Sequence, residues 1–434
     1  MMSDTYADDG LLHSLSTRLN CASPLPSRSS IYRVPETLRR HNEMAPNLVS
    51  IGPFHYGRPR LQAMEETKMW YLKCLLPKQT PDQDNCLVHL VNIIKKHEKF
   101  CRDCYEERVP LSSDDFVEMM LVDGCFIIEL LRKYKRFCFS FGEGGDAIFR
   151  TPRMLSTITN DLLLVENQLP WRVLDCLFKV TRVDDDDDHG ITSLRQLACL
   201  FFQNPTFVRS FDTIMSPNLK EEFVSSHLLE TVRNFVVQDQ PYVEVVKDIE
   251  YRTPIPSVSE LLEIGVKFVA SDDVSGQLNI TFRNGVMEIP PIIIRANGEC
   301  FIRNLIAYEQ CTQKPEQCHM TSYAILFSHL IEYVEDVDFL IQKEIITTEL
   351  SKVSTASFFK RLSNGTEATG FFYGDLAKEV NEYIKRRWLK TRLVRVKRNY
   401  LYNPSSFWSV SNGVAVILIL TLTQTIFTVL SYYK

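Results

Sequence analysis

The stretch that most constrains this chain is its apolar end. From Gly413 to Tyr433 the sequence GVAVILILTLTQTIFTVLSYY carries no charged side chain, and Gln424 is its one strongly polar interruption. At roughly 1.5 Å per residue a helix over this stretch is about 31 Å long, the thickness of a bilayer's hydrocarbon core. A core helix of that length in a globular protein would show a polar face. Thr421, Thr423, Thr425 and Thr428 are compatible with lipid because a threonine hydroxyl can bond its own helix's carbonyls. A single transmembrane helix over 413–433 is therefore expected.

The flanks of that span give it a direction. Residues 385–398 hold eight cations and no acid: Lys385, Arg386, Arg387, Lys390, Arg392, Arg395, Lys397 and Arg398; Lys434 alone follows the span. Cationic flanks stay on the cytoplasmic side, so the preceding domain is expected in the cytosol. Phe407 and Trp408 precede the span and Tyr432 and Tyr433 end it, and such amphipathic rings favour headgroup depth. Residues 1–20 contain Asp4, Asp8 and Asp9 and no apolar run, unlike a secretory signal. The tail also lacks the polar spacer of a lipid-anchor signal after Ser411-Asn412-Gly413. The expected location is a membrane, single-pass, with the plasma membrane favoured and an endomembrane as the alternative.

The formal net charge is −5, so without the eight cations of that tract the rest carries −13. An acidic domain is a poor nucleic-acid binder, and no nucleic-acid partner is expected. The tract 385–398 instead suits anionic lipid, at roughly 1 kcal/mol per cation near the surface, or serves only to set topology. The partners expected are thus the bilayer and, where the tract touches it, anionic lipid, with any protein partner unidentified.

Twelve cysteines in 434 residues are too sparse for a disulfide scaffold. His97, Cys101 and Cys104 share one helical face with Cys86, and Cys311, Cys318 and His319 form a looser group. Structural zinc sites take four ligands from short paired spacings, and these cysteines alternate with Leu90 and Ile93. Small apolar side chains on a helix face are the better account, so neither a metal nor a cofactor is expected.

Length alone predicts more than one core. Residues 1–30, with Pro24, Pro26 and the cluster Ser27, Ser29 and Ser30, read as disordered, and the aspartates 184–188 make 184–190 a solvated acidic loop. Residues 31–400 form the main domain, mostly helical. Helices are expected over 60–76, with Leu61, Met64, Met69, Leu72 and Leu76 on one face, and over 114–135, where Asp123 falls on the apolar face of Phe116 and must be paired. In 161–178 the polar knot Glu166-Asn167-Gln168 precedes Pro170, which marks a kink or a junction between two helices. Around 266–295 the pattern changes. A capping box, Ser257 with Glu260, starts a short helix that Gly265 can close. Alternation over 278–289 around Asn284-Gly285 then signals a hairpin. Pro290-Pro291 interrupts the ladder before Ile292–Ile294, giving a β-hairpin or three-stranded sheet. Helices are expected again over 299–312 and 320–346, and from Leu376 with Val380, Ile384 and Trp388 on one side. The fold class is mainly α with a small sheet.

Several segments together resemble the plant family called domain of unknown function 247. They are IYRVPETLRRHNEMAPNLVSIGPFHYG, then Leu61-x-x-Met64-Glu65-x-x-Lys68, DDFVEMMLVDGCFIIELL, DLLLVENQLP, IPSVSELLEIGVKF, NGVMEIPP, RNLIAYEQC and the Leu-Thr-x-x-Gln element at 420–424. Ala45 before Pro46 and Trp171 after Pro170 depart from its usual aromatic and phenylalanine. The resemblance implies no general activity. Some members are associated with self-recognition in pollination and others with growth or stress signalling, which implies interaction rather than turnover.

The chain shows no P-loop, no dinucleotide-binding glycine pattern, no G-x-S-x-G and no H-E-x-x-H. A membrane-anchored interaction, signalling or recognition module is expected. The alternative is an unrecognised hydrolase or transferase using His55, Asp123, Glu166, Gln168 and Glu309, polar residues set among apolar ones. Convergence of His55 with two carboxylates in an open pocket marks the enzyme; separate enclosed pairs mark a scaffold.

Overall fold

The computed structural model describes residues 29–36, 38–39, 44–77, 82–139, 146–181, 191–203, 225–237, 254–271, 276, 278–295, 298–312, 318–366, 370–387, 418–426 and 428, with five isolated positions before residue 20. It is mainly helical with small sheets. Most of 1–30, the acidic loop 184–190, the tract beyond Arg387 and the ends of the stretch 413–433 lie outside these residues.

Helix α1 spans Ala63–Leu75, α2 Asp82–Asp103 and α3 Ser113–Phe139. Next come α4, Ala147–Arg150, and α5, Pro152–Leu162, which opens on its proline as a helix readily does. Helix α6 is Trp171–Val180, α7 Leu194–Phe201 and α8 Leu228–Val237. The knot 166–168 therefore lies between two helices. Helix α9, Val258–Ile264, starts at the expected capping box, whose reciprocal bonds both form, and ends at Gly265. Helix α10 is Gly298–Thr312.

Strands β1 (Lys267–Ala270), β2 (Thr281–Arg283) and β3 (Val286–Ile289) make a three-stranded sheet in the order β1-β3-β2. The turn at Asn284 (φ 54°) and Gly285 (φ 82°) has both central residues left-handed, as a two-residue hairpin requires. Strand β4 (Ile292–Ile294) leaves this sheet and pairs in parallel with β5 (Ile346–Thr348). The expected helix 320–346 is instead two, α11 (His319–Leu330) and α12 (Val334–Gln342), followed by that strand. The break falls at Glu332 and Tyr333, whose N–H groups bond the Asp336 carboxylate rather than continuing the first helix. Helices α13 (Lys352–Ser363) and α14 (Gly374–Arg386) complete the set; Trp388 lies outside the described residues.

The chain divides into two compact units. The first comprises Met1–Asn204, Arg209–Val236 and Cys300–Gln313, and its hub is α3, against which α1, α2, α6 and α7 pack. Every residue from Met119 to Arg132 in α3 is buried, so this helix is enclosed on all sides rather than on one stripe. The expected face of α1 needs a correction. Met69 is 49% exposed, whereas Lys68 is fully buried. Lys68 lies four residues from both Met64 and Leu72, on the same side of the helix.

The second unit comprises Pro205–Val208, Val237–Glu299 and Lys314–Lys434. In it α11 and α12 pack on α13, and the core is aromatic: Phe327 stacks on Phe359 at 4.6 Å, with Tyr323 and Phe358 beside them. Among the described residues no helix is long and apolar enough to cross a membrane. The described part of the apolar end, 418–426, is helical. There Thr421, Thr425 and Thr428 donate to the carbonyls of Leu418, Thr421 and Gln424 at 3.1, 2.7 and 2.7 Å.

Candidate functional site

The segment 45–58 runs through the first unit without helix or strand. Its buried N–H groups therefore need side-chain acceptors, since an unmet buried donor costs about 1–3 kcal/mol. Three acidic or amide side chains supply them. Asp161, in the last turn of α5, accepts from Asn47, Leu48 and Val49 at 2.9, 2.7 and 2.9 Å. The Asn167 carbonyl accepts from Ile51 at 2.7 Å while its amide donates to Val49 and Asp161 carbonyls. Asp123, on α3, accepts from Gly52 N–H at 2.8 Å and from Lys68 at 2.7 Å. Gly52 has φ +71°, and a Cβ there would stand 2.6 Å from the Gln168 carbonyl, so only glycine fits.

Asp123 thus has the partner its position demands, Lys68, and both are enclosed. Burial pushes the Asp123 carboxyl up, and the Lys68 charge and the Gly52 N–H push back. For Lys68 burial works against the charge, but Asp123 and Glu65 together hold the ammonium above its ordinary range. The pair is a buried ion pair with its hydrogen bonds met, the arrangement in which enclosed charges are tolerated.

Glu166 gathers a second cluster. One carboxylate oxygen accepts from Val34 N–H at 2.9 Å and from Arg39; the other accepts from Arg33 at 3.0 Å and stands 3.5 Å from Nε2 of His55. Arg33 also stacks over Phe54 at 4.0 Å and reaches Glu107 at 3.0 Å. His55 is 2% exposed, and neither of its ring nitrogens has a hydrogen-bond partner. Burial first, then the charges of Arg58, Arg33, Arg60 and Arg39, lower its pKa to about 3. The imidazole is neutral at pH 7, and a base that weak is poorly matched to proton transfer there.

The remaining candidates are engaged elsewhere. Gln168 donates to the Leu162 and Leu164 carbonyls and accepts from Leu229 N–H, closing the α5–α6 junction onto α8. Glu309 pairs with Arg233 at 3.3 Å, both enclosed. Of the five candidates the structure brings together His55 and Glu166; no hydrogen bond or ion pair joins Asp123, Gln168 or Glu309 to them among the described residues. His55 meets one carboxylate in an enclosed setting, and the rest form separate polar ties.

Around His97, Cys101 and Cys104 no group of three or more ligating side chains could hold a metal among the described residues. Burial pushes the thiols of Cys101 and Cys104 up to about 12 and about 11, which keeps them protonated at pH 7. The eleven described cysteines are free thiols. Cys311 is part-buried, its thiol near the Arg33 carbonyl and likewise raised to about 12.

Sequence reasoning missed Lys68, Asp161, Asn167, Arg33 and Arg39. Lys68 had a signal, its place in the Met64–Leu72 face. The arginines had none, because they sit in a segment without periodicity.

The chain aligns with two proteins of Arabidopsis thaliana. It is 28% identical to the UPF0481 protein At3g47200 over 433 aligned residues, covering 93% of this chain and 86% of that one. It is 23% identical to the putative UPF0481 protein At3g02645, covering 91% and 88%. No solved structure matches. The family described as DUF247, plant protein of unknown function, matches residues 31–421, and the chain belongs to that family.

Proposed function

We propose that this protein is a membrane-anchored interaction or recognition module of a plant cell, with its folded units in the cytosol, and that it does not work as an enzyme. One observation supports this above the others. Two of the residues expected for catalysis, Asp123 and Glu166, instead join Asp161 and Asn167 in tying an irregular segment to the helices, all four bonded to backbone N–H groups between Val34 and Gly52. Such a framework fixes the shape of a surface rather than presenting reactive atoms. The apolar run 413–433 and the cations 385–398 favour the anchor and its orientation, with the plasma membrane as the favoured site. A hydrolase or transferase is favoured only by the 3.5 Å approach of His55 to Glu166.

The sequons Asn279-Ile280-Thr281 and Asn364-Gly365-Thr366 test the orientation. Both asparagines are exposed, so access does not prevent glycosylation. Expressed in a plant cell, the chain should resist alkaline extraction from membranes, lose that resistance when 413–433 is deleted, and carry no endoglycosidase-sensitive sugar. Extraction of the intact chain overturns the anchor. Glycan on Asn279 or Asn364 reverses the orientation and makes the recognition surface extracellular.

A further inference from the structure

The loop between Ser50 and Arg60 holds buried polar atoms that lack partners. Ser50 Oγ and both nitrogens of His55 are buried without a hydrogen-bond partner, at 1% and 2% residue exposure. A neutral imidazole still carries one N–H, and each orphaned polar group of this kind costs about 1–3 kcal/mol if nothing meets it. Nε2 of His55 faces the Glu166 cluster, 3.5 Å from the carboxylate. That carboxylate already serves Arg33 and Arg39. Five residues or fewer along the chain from His55 stand two more guanidiniums, Arg58 and Arg60, both exposed and neither in an ion pair among the described residues.

Arg33 and Arg39 hold one enclosed carboxylate, and the charges of Arg58 and Arg60 join theirs at the His55 ring. The charge of Arg58 is itself disfavoured, by its partial burial and then by Arg60 and Arg33. The groups there that can donate are a hydroxyl, one imidazole N–H and the guanidinium forks, and the guanidiniums outnumber the Glu166 and Glu107 carboxylates that meet them. An oxyanion is the complementary chemistry: it supplies acceptors only and brings the missing negative charge. Arginine forks match phosphate oxygens two at a time, and several forks converging suit a phosphate better than a single carboxylate.

We propose that Arg58 and Arg60, with Arg39, Arg33 and the underlying His55, form a binding site for a phosphate monoester. The group is carried either by a small soluble molecule or by a lipid headgroup, which share this chemistry. Arg58 and Arg60 take the exposed oxygens, and Arg33 and Arg39 remain anchored by Glu166 so that their forks are held in place. The site lies wholly within the first unit and does not depend on how the chain is anchored.

Titration calorimetry on the full chain in neutral detergent at low salt tests this. The probes are inorganic phosphate, a free inositol trisphosphate, the same headgroup as a lipid in mixed micelles, and acetate. Saturable binding of a phosphate probe at one site is expected, weakened by about tenfold or more in the double variant Arg58→Ala/Arg60→Ala, as loss of charge-assisted forks entails. Both arginines are exposed, so the variant keeps the fold; Lys352→Ala, a surface change in the second unit, should bind as wild type does. Binding of the free inositol phosphate assigns the site to a soluble ligand, and binding of the micellar form alone assigns it to a lipid. No saturable binding by any phosphate probe, binding untouched by the double variant, or acetate bound as tightly as phosphate each overturns the proposal. None of these results bears on the glycan or extraction tests above, which address the anchor alone.

Discussion

Among the charged residues of the second unit, Asp336 is the one that is buried within the described part, whereas the first unit encloses Lys68, Asp123, Glu129, Arg132, Lys135, Asp161, Glu166, Arg233 and Glu309. Among the described residues the second unit's ion pairs are at the surface: Arg361 with Glu299, Arg295 with Glu349, Lys352 with Asp338 and Arg386 with Glu382. Its core is closed by packed rings, Tyr323, Phe327, Phe358 and Phe359. The difference follows from backbone. In the second unit short strands and helices meet most of their own hydrogen bonds. In the first, an irregular segment threads beside a fully enclosed helix, and side-chain carboxylates and amides must take the place of a sheet partner. Asp336 fits the rule from the other side, because it is buried where the second unit's helices break. There it accepts from Ser259, Glu332 and Tyr333 N–H groups at 2.8, 3.0 and 2.8 Å.

The sharpest test of this contrast is Lys68→Ala. It leaves Asp123 enclosed without its cation and should lower stability by about 3–5 kcal/mol in chemical denaturation. Lys68→Met combined with Asp123→Asn removes both charges but keeps an acceptor for Gly52, and should recover most of that loss. If Lys68→Ala stays within about 1 kcal/mol of wild type, buried charge is not what holds the first unit's segment. Next in size is Asp336→Ala. It strips three backbone donors of their acceptor and should cost about 2–3 kcal/mol, with faster amide exchange at Glu332 and Tyr333. Unchanged exchange there would mean the break between α11 and α12 holds without it.

Acid should then separate the units further. His55 and His227 are buried neutral in the first unit, with pKa values lowered to about 3 and about 4, chiefly by burial. Between those values and the unfolded value of 6.5 the unfolded chain binds more protons, so stability rises with pH and is lost on acidification through this window. Each histidine should account for about 2 kcal/mol of loss between pH 8 and pH 5. His55→Gln should flatten the wild-type pH dependence by that amount. Carboxyls raised by burial, Asp123 and Asp161, act in the opposite sense, so the comparison of variant with wild type carries the test. An identical slope in both would show that His55 protonates freely in the folded chain. The smallest effect is expected at Arg361→Ala in the second unit, whose half-exposed pair with Glu299 should be worth about 1 kcal/mol or less and weaken with salt. A larger, salt-insensitive loss would break the contrast between enclosed and surface charge.

Local chemistry made parts of this fold legible in the sequence. The capping box at Ser257 and Glu260, the Asn284-Gly285 turn, the long apolar α3 and the helical junction before Pro170 each depend on residues within a turn or two of one another. So does the family, through motifs spread along the chain. The demand for a partner at Asp123 was legible too, since a carboxylate on an apolar face cannot stand alone.

The partner's identity was not legible, because Lys68 lies 55 positions away and only the packing of α1 on α3 brings them together. The same holds for Glu166, whose arginines come from a segment more than 120 residues earlier with no periodic pattern to place it. Strand β4 looked like part of the hairpin sheet, yet its partner β5 lies some 50 residues on. Sequence thus determined which groups needed satisfaction and where helices and turns begin, as those are short-range energies. Tertiary structure alone decided which distant atoms met the need, because burial and charge pairing depend on chain segments that meet only when the cores close.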